Sequence, residues 1–356
     1  MSTGGEVAQL QPFEGSSWLL HDPDALRTRF ERDGYVLLKG VVDRDLVLEA
    51  RRAITEVCRA HGWLDPAHSP MDAIPQAGPF VEGEAKYLEV YDDIQRLEAF
   101  HAVPHHPSVS RCMTALLGPT AFPHPLSIAR LMFPGNDEWT TPQHQDFPNN
   151  QGTYDLYACW IPLADCSVED GNLSILRGSH TFGVAPLRAS LGAGSRRAEL
   201  DERYDGLDWV GGDLALGDAL VFHSLTVHRS LPNRSGDALR LSVDYRFQRE
   251  GEALTEGCLQ PHFGRLSWDE IYAGWQRDDL KYYWRDKRFT VAEWDATLHE
   301  IEEDEFVDLM KDWLRWRRRH PQGDPASVSA ARWVAPQDLP PLEGVRPTQR
   351  EAPWRT

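Results

Sequence analysis

Apolar and polar positions fall into three textures along the chain. Helical spacing comes first, from Asp22 or Asp24, either of which can cap a helix, to about Arg32, where Asp33-Gly34 breaks it. Tyr35-Val36-Leu37-Leu38 reads as a short buried strand. Asp43 then opens an amphipathic helix to about His61, with Leu46, Ala50, Ile54 and Cys58 at helical spacing. From about Leu126 the texture changes to short apolar or alternating runs between Gly, Pro, Asn and Asp turns. This predicts strands at 126–133, 155–163, 172–177, 213–216, 219–223, 225–230 and 238–248, with Leu216-Gly217-Asp218 as a tight turn. Many short strands at such spacing predict an antiparallel β-sandwich or barrel. Beyond about Gly264 the pattern is helical and tryptophan-rich, with a long helix predicted from Val291 to about Arg318.

Four segments follow from this pattern. Residues 1–21 are expected to be a flexible N-terminal arm and 22–263 the β domain with its N-terminal helices. Residues 264–320 form a Trp-rich helical extension packing on the core, and 321–356 a Pro-rich tail. Eight of the thirteen tryptophans lie from Trp268 onward, so this last quarter must pack against something. The chain has 356 residues, 41 % of them hydrophobic, enough for one large core.

Charge and cysteine content narrow the partners. A formal net charge of −18 argues against nucleic acid and anionic membranes. The one compact basic run, Arg317-Arg318-Arg319-His320, reads as the last turn of an acidic helix. Five cysteines without a CxxC pair suggest neither a disulfide framework nor a zinc ribbon. With no leader pattern and no apolar run near the roughly 20 residues that span a bilayer, a cytoplasmic protein acting on a small molecule is expected. The pattern specifies no oligomeric state.

The chemistry concentrates in Gln143-His144-Gln145-Asp146 and His228. Two histidines and one carboxylate occupy one face of an octahedral metal and leave three positions open, which suits ferrous iron that must bind a co-substrate and dioxygen together. An H-x-D tripeptide alone is weak evidence. Here His144 and Asp146 share parity just before the turn Phe147-Pro148-Asn149-Asn150, so one metal could meet both. His228 shares its strand face with Thr226 and Ser230, and a hairpin through 232–237 brings Arg240 near Ser230. A guanidinium and a hydroxyl beside a metal ligand form a receptor for a carboxylate. His223 has the wrong parity to replace His228; His105, His106 and His124 are read as ordinary loop or surface residues. In the last strand Arg240, Ser242, Asp244 and Arg246 share one face, while Leu241, Val243, Tyr245 and Phe247 share the other. Asp244 or Arg246 is expected either to orient a polar substrate or to form an internal ion pair.

Together these pieces resemble the phytanoyl-CoA dioxygenase-like iron(II)/2-oxoglutarate oxygenases. The resemblance rests on Asp33-Gly34-Tyr35-Val36, His144-Gln145-Asp146, Trp160 to Asp165 with Gly171-Asn172-Leu173, Arg177 to His180, Gly217 to Phe222, His228-Arg229-Ser230 and Arg240, over roughly residues 22–248. It implies a mainly β fold with flanking helices around a double-stranded β-helix (a cupin-like jelly roll). It also implies Fe(2+) held by His144, Asp146 and His228, and 2-oxoglutarate held by Arg240 and Ser230. The keto acid would then fill two coordination positions, leaving one for O2. The implied reaction is hydroxylation with release of succinate and CO2, or desaturation or ring formation if the course diverges. Halogenating relatives replace the carboxylate with a small residue, so Asp146 argues against halogenation. Two positions depart from the pattern: Gln143 stands where an aromatic is common, and Met132 where a lysine-like residue is, with Arg130 on the same face as a substitute. No basic cradle for coenzyme A is visible. A specialised-metabolite or amino-acid-like substrate is expected, with Gln143, Asp244 and Arg246 as candidate contacts and the insertions 67–83 and 187–211 rimming the pocket. Two other readings stand beside it: a non-catalytic sugar- or small-molecule-binding β-sandwich in which the metal residues are incidental, and a cupin-type oxygenase that uses the same triad without a keto acid.

Overall fold

The structure is a computed structural model that describes residues 10–300 and 303–320. In chain order its first half comprises β1 (Gln11–Pro12), α1 (Pro23–Asp33), β2 (Tyr35–Leu38), α2 (Arg44–Ala60), α3 (Ala85–Gln95), α4 (Glu98–Ala102), α5 (Pro107–Leu117), β3 (Ala121–Met132) and β4 (Tyr157–Pro162). The remainder comprises β5 (Leu173–Leu176), β6 (Leu187–Ala189), β7 (Arg196–Ala198), β8 (Trp209–Gly211), β9 (Ala219–His223), β10 (His228–Ser230), β11 (Arg240–Arg249), β12 (Ala253–Thr255), α6 (Trp268–Tyr272), β13 (Thr290–Ala292) and α7 (Glu303–Arg319).

A five-stranded sheet in the order β2-β9-β4-β11-β3, antiparallel throughout, faces a four-stranded sheet in the order β1-β8-β5-β10. The pair forms an open cupin-like sandwich. The alternation of β11 explains its place at the centre. Leu241, Val243, Tyr245 and Phe247 join Val36, Leu38, Cys159, Ile161 and Val221 in the core beneath the helices. The opposite face of the large sheet contributes Tyr35, Leu37, Trp160 and Phe222, which pack on Leu173, Ile175 and Val210 of the smaller sheet. The polar residues of β11 therefore point into the space between the sheets.

Local chemistry sets the helix ends. Asp22 accepts from the Ala25 amide at 3.1 Å, and Asp43 from Leu46 at 3.0 Å, each satisfying an otherwise orphaned donor. Gly34 closes α1 at φ +75°; a Cβ there would lie 2.5 Å from His180 Nδ1.

Several expectations change. Residues 10–21 are docked rather than loose: Gln11–Pro12 pairs parallel with β8, and Leu19 is buried in a short 3-10 turn. Residues 1–9 and the Pro-rich tail 321–356 lie outside the described residues. The continuous helix expected over 291–318 is interrupted. Thr290–Ala292 pairs with β12, and the Asp295 amide donates to Gln151 Oε1 at 2.7 Å, which draws this segment onto the sandwich. The helix proper starts at Glu303. Residues 213–216 form a single bridge, Leu214 to Cys166, and β8 takes the strand position beside β5. A turn in which the Thr226 amide donates to the His223 carbonyl at 2.8 Å shortens the strand predicted at 225–230 to His228–Ser230.

Trp268, Trp275 and Trp284 form a cluster with Phe122 of β3, and the Trp275 indole donates to the Arg96 carbonyl at 2.8 Å. These three side chains thus lie against β3. Trp316 of α7 is buried and donates to Asn136 Oδ1 at 3.0 Å. All five cysteines are buried and free, and no helix among the described residues is long and apolar enough to cross a membrane.

Candidate metal centre

The backbone brings His144 and His228 together before any metal is considered. Their amides and carbonyls exchange two hydrogen bonds, of 2.9 and 3.0 Å, across an isolated antiparallel bridge, and their ring centroids lie 4.1 Å apart. Asp146, two residues on, opens a 3-10 turn that the Phe147 amide ties to the Ser224 carbonyl at 3.0 Å. One ligand atom from each of the three residues lies within 4.8 Å of the others.

The imidazole tautomers follow from the hydrogen bonds. His144 Nδ1 meets the Pro142 carbonyl at 2.8 Å and His228 Nδ1 the Thr226 carbonyl at 3.0 Å, so each Nδ1 carries the proton and donates. Both Nε2 lone pairs are left toward Asp146 Oδ1, at 4.0 and 3.9 Å. This is the outer-shell arrangement that orients metal-bound histidine. Burial, reinforced by the neighbouring His228, pushes His144 down to about 3, and burial also lowers His228. Burial acts to raise Asp146, but Arg246 and the two imidazoles outweigh it and hold the carboxyl at about 2. Asp146 Oδ2 is buried without a hydrogen-bond partner, an orphaned acceptor that a cation would satisfy. The donor set of two nitrogens and one carboxylate oxygen fits ferrous iron with open positions.

Arg240 lies nearby, buried, with donors to Ser242 Oγ at 2.7 Å, Ser230 Oγ at 3.4 Å and the Gly171 carbonyl at 3.0 Å. Among the described residues no carboxylate is within ion-pair distance of it, and burial lowers its pKa. A buried cation flanked by two hydroxyls and matched by no carboxylate has the chemistry that an organic anion would complement. Arg130, expected as a substitute at the keto-acid end, is engaged elsewhere, 2.6 Å from Glu82 and 3.4 Å from Asp244. Met132 Sδ sits 3.5 Å from Arg240 Nη2.

Arg246 Nη2 donates to Asp146 Oδ1 at 2.8 Å, and its Nη1 is 3.8 Å from Asp244. Glu82, Arg130, Asp244, Arg246 and Asp146 therefore form one chain of alternating charge. Glu82 was missed in the sequence, because nothing local distinguishes it from a surface acid. Gln143 is half-buried, its backbone carbonyl accepting from Ala198 at 2.7 Å and its amide reaching the Ala198 carbonyl at 3.5 Å.

His223 sits 3.7 Å from Asp155, away from the centre, and His106 Nδ1 caps α5. His124 is not a surface residue: it is buried on β3, with Nε2 2.7 Å from Gln248 Oε1. A cavity of about 40 Å³ opens on Arg240, walled by Phe80, Glu82, Arg130, Met132 and Trp139 and touched by Ala193. Both insertions expected at the rim contribute to it.

Two imidazoles and a carboxylate between facing β-sheets, beside an unpaired arginine, define the class: a non-haem iron oxygenase that uses a keto acid. The chain belongs to the phytanoyl-CoA dioxygenase (PhyH) family, whose model matches residues 30–241. It is thus an iron(II)/2-oxoglutarate-dependent oxygenase. It is 30 % identical over 256 residues to the 1-deoxypentalenic acid 11-beta-hydroxylase of Streptomyces exfoliatus, covering 68 % of this chain and 87 % of that one. The enzyme of the same name from Streptomyces arenae is 30 % identical over 257 residues, with the same coverage. Among solved structures the chain is similar to the α-ketoglutarate-dependent carbocyclase SnoK from nogalamycin biosynthesis, with a TM-score of 0.48 and 21 % identity over 71 % of this chain and 94 % of that one.

Proposed function

We propose that this protein hydroxylates an unactivated C–H bond of a small molecule, a specialised metabolite or amino-acid-like compound, in the cytoplasm. The balanced reaction is substrate C–H, 2-oxoglutarate and O2 giving substrate C–OH, succinate and CO2. The observation that carries this reading is Asp146 itself, a third protein ligand beside His144 and His228, with an unmatched Arg240 close by. The hydroxylases to which the chain is similar support the same outcome.

In this reading His144, Asp146 and His228 hold iron, which with 2-oxoglutarate and O2 supplies the oxidising power. Arg240 and Ser230 bind the far carboxylate of the keto acid, with the Trp160 ring 5.8 Å from the Arg240 guanidinium. The carbonyls of Pro142 and Thr226 keep both imidazoles turned to the metal. Gln143, at the junction of the metal segment and the 187–211 insertion, is proposed as a substrate contact. Asp244 and Arg246 shape the same interior, although most of their polar contacts are to one another, Arg130 and Asp146.

The test is incubation of the protein with iron(II), ascorbate, 2-oxoglutarate and candidate metabolites, followed by mass spectrometry. A gain of one oxygen with stoichiometric succinate is expected. Loss of two hydrogens would instead identify desaturation or ring closure. Binding of a metabolite with neither succinate, even uncoupled, nor an oxidised product would refute the enzymatic reading in favour of a binding protein.

A further inference from the structure

Asp146 differs from the two histidines in what holds it. Each imidazole is fixed by a backbone carbonyl, whereas the carboxylate has one hydrogen bond, from Arg246 Nη2 to Oδ1 at 2.8 Å, and its Oδ2 has none. Arg246 is itself 3 % exposed, and its Nε and Nη1 make no hydrogen bond. It projects from the point where the register between β11 and β3 breaks: Tyr245 pairs with Ser127, but Phe247 pairs with Pro123. Irregularities of this kind aim a side chain where a regular strand would not. The guanidinium is steadied from behind by Asp244, 3.8 Å away, which Arg130 holds at 3.4 Å and Glu82 through Arg130 at 2.6 Å.

A carboxylate can meet a dication through one oxygen or both. With both engaged, Asp146 would fill one of the positions that a chelating keto acid needs. We propose that Arg246 is a positioning residue: by holding Oδ1, the oxygen that also faces both imidazole Nε2 atoms, it fixes the rotation of the Asp146 carboxylate, limits it to one oxygen toward the metal and keeps a coordination position free. The proposal rests on the metal-site reading above. It depends on the planar, directional donor that arginine has and lysine lacks, not on positive charge alone.

The experiment compares wild type, Arg246→Lys and Arg246→Met loaded with cobalt(II). The visible spectrum reports coordination, and titration calorimetry reports 2-oxoglutarate affinity without turnover. Both variants are expected to show an altered cobalt spectrum and to bind 2-oxoglutarate about tenfold or more weakly, the scale of losing an outer-shell partner. Wild-type spectra and affinity in both variants would overturn the proposal. So would full restoration by lysine, which would assign the effect to charge alone. If the methionine variant does not fold by circular dichroism, the lysine variant decides between these outcomes. A wild-type protein that takes up no cobalt overturns the metal-site reading and this proposal with it, whereas wild-type-like variants overturn this proposal alone.

Discussion

Replacing Arg240 by methionine separates ligand binding from structural support, because the two roles predict opposite effects on the ligand-free protein. Arg240 is buried with no matching carboxylate among the described residues, and its neutral partners are Ser242, Ser230 and the Gly171 carbonyl. An uncompensated buried cation costs several kcal/mol, so an apolar side chain of similar volume relieves that cost while forfeiting the bonds to Gly171, Ser242 and Ser230, worth about 1 kcal/mol each net. The ligand-free variant should therefore melt at the same temperature as wild type or higher. The keto acid behaves differently. A carboxylate on the guanidinium fork gains two charge-assisted hydrogen bonds at about 1.5–3 kcal/mol each, so their loss is worth at least about 3 kcal/mol, a hundredfold or more in Kd. Anaerobic calorimetry of 2-oxoglutarate into manganese-loaded protein measures this, and thermal shift with and without 2-oxoglutarate measures both effects in one preparation. A Kd within about threefold of wild type would refute the assignment, and unchanged turnover would favour the keto-acid-independent reading. A lowered melting temperature of the ligand-free variant would show Arg240 to be a structural ion whose partner lies elsewhere.

Asp146→Ala removes the only carboxylate of the triad and should abolish stoichiometric cobalt or manganese binding in calorimetry while leaving the circular dichroism spectrum intact. His101, His105 and His124 are each pushed by burial from an ordinary 6.5 down to about 4. The unfolded chain therefore binds more protons between those values, and stability should fall as pH drops below 6.5, by on the order of 1.4 kcal/mol per pH unit for each histidine, levelling near pH 4. Denaturant midpoints from pH 7 to 4 check this, and a flat profile would contradict it. Gly171→Ala places a Cβ 2.7 Å from the Leu231 carbonyl oxygen and 2.8 Å from the Asn233 amide nitrogen, at φ +83°. It should cost roughly 2 kcal/mol or more in denaturant unfolding and weaken 2-oxoglutarate binding, because the Gly171 carbonyl anchors Arg240.

What could be read in the sequence was what parity encodes. The side-chain period of a strand is two, so a run such as Arg240 to Phe247 declares its faces without any tertiary information, and the structure sends Leu241, Val243, Tyr245 and Phe247 beneath the helices as that period requires. The pairing of His144 with Asp146 is equally local, two residues of equal parity before a turn. The break between 292 and 303 was not local: Asp295 is held by Gln151, which lies 144 residues away. Periodicity alone extends a helix through such a point, because the competing partner is absent from any window of sequence. The same distinction governs the interior charges. Arg246 could be placed on the polar face of β11, but its partner Asp146 lies 100 residues earlier and Glu82, at the far end of the chain of charges, lies on an irregular segment. A face can be deduced from one strand, whereas an ion pair requires the fold. Arg240 therefore differs in kind from Arg130 and Arg246: all three look alike as inward arginines in sequence, and only the placement of Glu82, Asp244 and Asp146 shows that two are matched by carboxylates and the third, among the described residues, is not.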